Sequence, residues 1–122
     1  MSFVAAQYRN TVVGTSSPVK LVVLLYDAAI RFLTQANMAA ERGETLAVSD
    51  KLRRAQAIVV ELHCSLDYDQ SPELCRELDR LYEFVLHSIA NAFLNPREHS
   101  LEPAINVMRE LRAAWSDIAA KG

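Results

Sequence analysis

The chain has 122 residues, of which 51% are hydrophobic and 23% charged, with a formal net charge of −2. This length and composition are typical of one globular domain and exclude a disordered tail. Basic and acidic residues nearly balance, and no basic stripe alternates with aromatic residues, so nucleic acid is not an expected partner. The one basic run, at 51–54, has the pattern of a solvated helix face.

The sequence predicts a cytoplasmic protein with no membrane insertion. Its first ten residues lack the basic and apolar regions of a secretory leader. The apolar run at 21–26 ends at Asp27, far short of the roughly 20 residues that span a bilayer. Cys64 and Cys75 are isolated and expected to be reduced thiols. Together with His63 they lack the paired spacings of a zinc site, so neither a metal nor a cofactor is expected.

An arm and a long helix are predicted at the start of the chain. Residues 1–15 form a weakly organised apolar arm. Ser17 and Pro18 then favour a helix start, because the hydroxyl accepts an unpaired amide bond and proline has no N–H to satisfy. Gly43 is a natural C-cap. The first helix is therefore predicted over 17–41.

Three further helices are predicted, over 45–66, 71–94 and 99–120. A turn at 67–70 separates the first two of these, and Ser71 with Pro72 begins the next. The break at Asn95–Pro96 precedes the last helix, which tolerates Pro103 in its first turn. Four helices joined by short loops predict an all-α fold, an antiparallel up-down-up-down bundle with an N-terminal arm, in a single domain over 1–122.

The first and third helices carry more apolar residues than one core-facing stripe needs. Either these helices use a wide core face, or part of the surface is a groove for a partner helix or for the arm. Periodicity alone does not separate the two interpretations. A third possibility is a structural bundle that forms a weak homodimer through the surplus rows, since soluble monomers rarely expose large apolar patches.

No catalytic constellation is present, and the protein is not expected to be an enzyme. The sequence has no glycine-rich phosphate loop and no nucleophile elbow. The alternative function is a histidine phosphotransfer protein that uses His87, since such domains are also small helical bundles. The segment His87–Asn91 has no lysine after the histidine, which disfavours this alternative.

The chain resembles the flagellar secretion chaperones, the cytoplasmic export chaperones of flagellin. The resemblance begins with Tyr8 and Asn10, the 15–18 segment TSSP, and an apolar run that includes LLYD at 24–27 and AIRFL at 29–33. It continues through RAQAI at 54–58, SLD at 65–67, LYEF at 81–84, and LR with Trp115 near the end. Two positions depart from the family pattern: Ala28 replaces a glycine, and Phe93 replaces a frequent asparagine.

The resemblance implies a non-enzymatic chaperone that binds the C-terminal helical segment of flagellin, prevents premature polymerisation and assists export. Other flagellar export or regulatory proteins are possible further partners. We predict a groove lined by the second helix, with contributions from the first and third, which the arm covers in the empty state. The partner-binding residues predicted on this basis are Tyr8, Asn10, Leu21, Leu25, Leu52, Ala55, Ile58, Val59, Leu62, Tyr82 and Phe93.

Overall fold

The computed structural model describes residues 18–69 and 71–121, which contain four α-helices and no strand. These are α1 (Pro18–Glu41), α2 (Thr45–Cys64), α3 (Pro72–Leu94) and α4 (Glu102–Lys121). The predicted all-α four-helix bundle is confirmed. The arm, with Tyr8, Asn10 and the proposed Ser17 cap, lies outside the described residues, as does Gln70.

Local sequence signals explain two of the helix boundaries. Gly43 has a φ of 71°, the left-handed conformation that glycine adopts without strain. Its N–H donates to the Ala40 carbonyl, and the Glu44 N–H donates to the Ala39 carbonyl. This pair of bonds is a Schellman motif and ends α1 as predicted. Ser71 is the N-cap of α3 with Pro72 behind it, although its hydroxyl makes no capping hydrogen bond.

Two helix boundaries differ from the sequence prediction. Helix α2 ends at Cys64, not at 66, where the Ser65 hydroxyl donates to the Glu61 carbonyl. Helix α4 begins at Glu102, not at 99. The backbone N–H of Leu101 donates instead to Asn37 Oδ1 on α1, at 3.3 Å. This tertiary hydrogen bond holds the chain in a loop up to residue 101.

Helices that are adjacent in the chain pack side by side, and α4 closes the bundle against α1. The tightest packing is between α1 and α2, where small residues such as Ala28 and Ala55 let the backbones approach. Helix α3 packs on α2, and the contact between α3 and α4 is the smallest of the four. None of the four helices, within the described ranges, is both long and apolar enough to cross a membrane.

Candidate partner-binding surface

Most of the predicted partner-binding residues form the interior of the bundle. Each of these eight side chains is at most 7% exposed: Leu21, Leu25, Leu52, Ala55, Ile58, Val59, Leu62 and Tyr82. Phe93 is half-buried and packs against the same core. In the structure these side chains hold the helices together, and their contact with a partner stays a prediction.

A hydrogen-bonded aromatic group crosses the centre of the core. The hydroxyls of Tyr26 on α1 and Tyr82 on α3 lie 2.5 Å apart, and both side chains are buried. Trp115 on α4 is half-buried and packs against the same core. His63 on α2 meets the Tyr82 ring edge-on, with 6.3 Å between ring centroids. Burial raises the pKa of both tyrosines above the ordinary value, so both phenols stay protonated at physiological pH.

Removing one hydroxyl of this pair is expected to lower the free energy of unfolding by more than half of the loss that removing both would cause. Tyr82→Phe should lower the free energy of unfolding by about 1–2 kcal/mol, because it takes a hydrogen-bond partner from a buried hydroxyl. The Tyr26→Phe/Tyr82→Phe double variant leaves no unpaired phenol, so its loss should be smaller than the sum of the two single losses. Urea denaturation of all three variants measures this, and additive losses would contradict it.

Two polar contacts tie neighbouring helices at the bundle surface. His63 Nε2 on α2 is hydrogen-bonded to Asp79 Oδ1 on α3, with both side chains about one third exposed. Glu83 lies one turn further along α3, and these three residues bring potential metal-ligand atoms within 4.8 Å of one another. The His63–Asp79 hydrogen bond links α2 to α3, and this structural role explains why the side chains lie close together. Arg112 Nε donates to Asp27 at 2.8 Å and links α4 to α1.

Along the seam between α3 and α4, the side chains become more exposed from one end of the bundle to the other. On α3, three residues spaced by seven lie on one face, and their exposure rises from 6% at Ser88 to 51% at Leu74. On α4, a matching row runs from Ala104, fully buried, to Ile118, 51% exposed. Half-buried leucines occupy the middle positions of the two rows, Leu81 and Leu111.

Contacts at the edges of α4 fix the direction in which this row points. Arg112, Ser116 and Ala119 line a groove against α1. Leu111 and Ile118 lie on the opposite flank of α4, and therefore face α3. At the closed end of the seam, Ser88 Oγ is hydrogen-bonded to His99 Nε2, 2.9 Å away, in the loop that precedes α4.

Exposed and half-buried apolar side chains lie along the seam on both helices. Phe84, 47% exposed, lies one turn from Leu81 in the direction of Ser88, in the other half of the seam. No residue of α4 beyond Met108, up to residue 120, is buried, and Trp115 is half-buried there. We call the surface of Leu74, Leu81, Phe84, Leu111, Trp115 and Ile118 the open seam. None of these six residues is among the partner-binding residues predicted from the sequence.

The arm joins the bundle at the open end. Pro18 begins α1 at the same end where α4 finishes, since the two helices pack antiparallel. Lys20, Val23 and Leu24 on α1 face Ala119 and Ala120 across a groove of ≈ 620 Å³. Pro18 therefore lies at the same end of the bundle as Leu74 and Ile118.

Comparison with known proteins assigns the chain to a family. The model of the family described as "Flagellar protein FliS" matches residues 1–122. The flagellar secretion chaperone FliS of Campylobacter jejuni is 30% identical to it over 91% of this chain and 87% of its own length. The chaperone of the same name from Vibrio cholerae is 29% identical, over 86% and 77% of the two chains. That of Salmonella typhimurium is 26% identical, over 92% and 84%.

These matches confirm the family resemblance found in the sequence motifs. They cover nearly the whole chain, including all four helices and the residues of the open seam. The chain belongs to the flagellar protein FliS family.

Proposed function

We propose that this protein is a cytoplasmic chaperone that binds the C-terminal helical segment of flagellin, prevents its premature polymerisation and assists its export. The observation that carries the proposal is the open seam, a set of exposed and half-buried apolar side chains along α3 and α4 in a chain of the FliS family. An amphipathic helix in a groove is a common mode of peptide recognition. A segment that is disordered before assembly gains its helical structure on such a surface.

The exposed apolar side chains of the seam favour a bound guest over an uncovered surface. Apolar burial stabilises a complex by about 25 cal/mol per Å², so a few hundred Å² contribute several kcal/mol. Part of this offsets the ordering of the guest, and an extended interface is therefore expected. In this proposal the eight buried residues predicted earlier act through the scaffold, by holding α3 and α4 at the distance that leaves the seam open.

Co-elution tests the proposed function. The purified chain and the C-terminal segment of flagellin from its own organism are run together on a sizing column, with each component alone as the reference. We expect a one-to-one complex that elutes ahead of the free chain. A free chain that elutes as a dimer and ignores the segment would favour the homodimer interpretation instead.

We further propose that the arm covers part of the open seam until the guest displaces it. The support is its apolar composition and the position of Pro18 at the open end of the seam. Deleting residues 1–13 should increase the fluorescence of a hydrophobic-surface dye and raise the affinity for the flagellin segment, because a competitor has been removed. Unchanged dye binding together with unchanged affinity would contradict this. The helical circular dichroism of the deletion variant serves as the control for folding.

The phosphotransfer alternative gains no support from the comparisons. His87 lies on the exposed face of α3, so a donor can reach it. The matched relatives are named as secretion chaperones. Incubation with a phosphorylated donor, followed by a search for acid-labile phosphohistidine, tests the alternative directly.

A further inference from the structure

The seam between α1 and α2, opposite the open seam, carries a cluster of cations around one aromatic ring. Phe32 on α1 is half-buried. Arg31 Cζ, Lys51 Nζ and Arg54 Cζ lie 5.2, 5.7 and 5.8 Å from the centroid of its ring. We call these four residues the cationic cluster. Three cations on one ring are unusual in a chain whose formal net charge is −2.

Neighbouring carboxylates neutralise only part of the positive charge of the cluster. Asp50 is the one carboxylate that the described residues pair with it, 3.2 Å from Arg54 Nε and 4.0 Å from Lys51 Nζ. Its single negative charge is shared between two cations, and within the described part of the chain Arg31 has only the contact with the Phe32 ring. The negative face of the Phe32 ring holds the cations together but does not neutralise them. The site is therefore suited to an anion.

The anion can reach the cations from solvent. The Arg54 and Lys51 side chains are 58% and 31% exposed, and Arg31 is exposed as well. Arginine offers paired N–H donors that match both oxygens of a carboxylate. Beside them, the half-buried ring of Phe32 offers an apolar contact for the side chain next to that carboxylate. A carboxylate adjacent to an apolar side chain is the ligand with this chemistry.

We infer that the cationic cluster binds the free C-terminal carboxylate of the guest polypeptide. This inference rests on the proposed function, since a C-terminal segment ends in a carboxylate by necessity. It adds a second contact, on the opposite side of the bundle from the open seam. A helix with its side chains is about 10–12 Å across, so the path around the outside of the bundle from one seam to the opposite one is roughly 30 Å. An extended chain advances roughly 3.3–3.6 Å per residue, so about ten residues connect the two sites.

The guest is therefore expected to wrap around the bundle with its last residue fixed at the cluster. The carboxylate contact fixes the register of the guest along the bundle, because a polypeptide has only one C-terminal carboxylate. The apolar contacts of the open seam supply most of the affinity.

The test compares two forms of the flagellin C-terminal segment, one with a free carboxylate and one with a C-terminal amide. Affinities are measured by fluorescence anisotropy for the wild type and for Arg31→Gln/Arg54→Gln. Amidation should weaken binding to the wild type by about fivefold, the upper range for an exposed ion pair. On Arg31→Gln/Arg54→Gln, amidation should change the affinity by less than about twofold, because both arginines are gone and Lys51, the one cation left, is paired with Asp50.

Arg53→Gln/Arg109→Gln is the matched control, since it removes two exposed positive charges elsewhere. It should keep the fivefold response to amidation. If amidation has no effect on the wild type, or the same effect on Arg31→Gln/Arg54→Gln, the inference is overturned. If the cluster variant weakens both forms equally, the cluster contacts another part of the guest and the inference is again overturned. If the wild type binds neither form, the proposed function itself fails.

Discussion

Aspartate at both Leu74 and Ile118 is expected to weaken binding of the flagellin C-terminal segment by about 100-fold. Each side chain is 51% exposed and lies at the open end of the α3–α4 seam. The substitutions remove apolar area from the interface and place two carboxylates where the guest excludes water. A combined loss of about 3 kcal/mol corresponds to this change in affinity. Anisotropy titration with the labelled segment measures it.

The same double variant should remain folded, because neither side chain belongs to the buried core. Helical circular dichroism and the urea midpoint check this point. Leu46→Asp is the control for a leucine replaced by a charge, since Leu46 is 88% exposed and lies on α2, away from the seam. It should bind the guest like the wild type. A Leu74→Asp/Ile118→Asp variant that is folded and binds with unchanged affinity would show that the guest docks elsewhere.

Truncation of Leu52 should destabilise the bundle strongly and leave the guest affinity of the folded protein nearly unchanged. Leu52 is fully buried in the core, so Leu52→Ala removes packed methyl groups and leaves a cavity. Such changes lower the free energy of unfolding by about 2–5 kcal/mol. Urea denaturation measures the loss, and anisotropy at a temperature where the variant is folded measures the affinity.

The result for Leu52 separates the scaffold role that the structure gives it from the direct partner contact that the sequence predicted. Val60→Ala is the control, because Val60 lies on the same helix and is 39% exposed. Its stability should change by less than about 1 kcal/mol. If Leu52→Ala were nearly as stable as the wild type but bound the guest weakly, Leu52 would line the binding groove and the scaffold role would be wrong.

Some helix boundaries are determined by nearby residues, and others by tertiary contacts. Gly43 and Pro72 act through their own backbone, so the ends that they set were predicted correctly. The start of α4 was predicted three residues early. Its position depends on Asn37, which is 64 positions away from Leu101 in the chain. A local contact favours the same start, since the Ser100 hydroxyl accepts a hydrogen bond from the Glu102 N–H.

In the candidate binding surface, too, one part follows from the local sequence and another part from tertiary packing. Helical periodicity placed Leu74 and Ile118 correctly on apolar rows, but it does not say whether a row is covered along its whole length. That depends on how far α3 lies from α4, which is set by the packing of both helices on the other two. Conversely, Leu21 and Leu25 were predicted to meet a partner and are covered by the bundle itself.

The sequence by itself determined four amphipathic helices, their order, and membership of a flagellar chaperone family. These follow from residue spacing, caps and motifs, which are properties of short stretches of chain. Only the tertiary structure decided that Tyr26 and Tyr82 meet in the core, that three cations surround Phe32, and that the α3–α4 seam opens toward Leu74 and Ile118. Each of these depends on distances between helices, and those distances are set by the packing of side chains that are remote from one another in sequence.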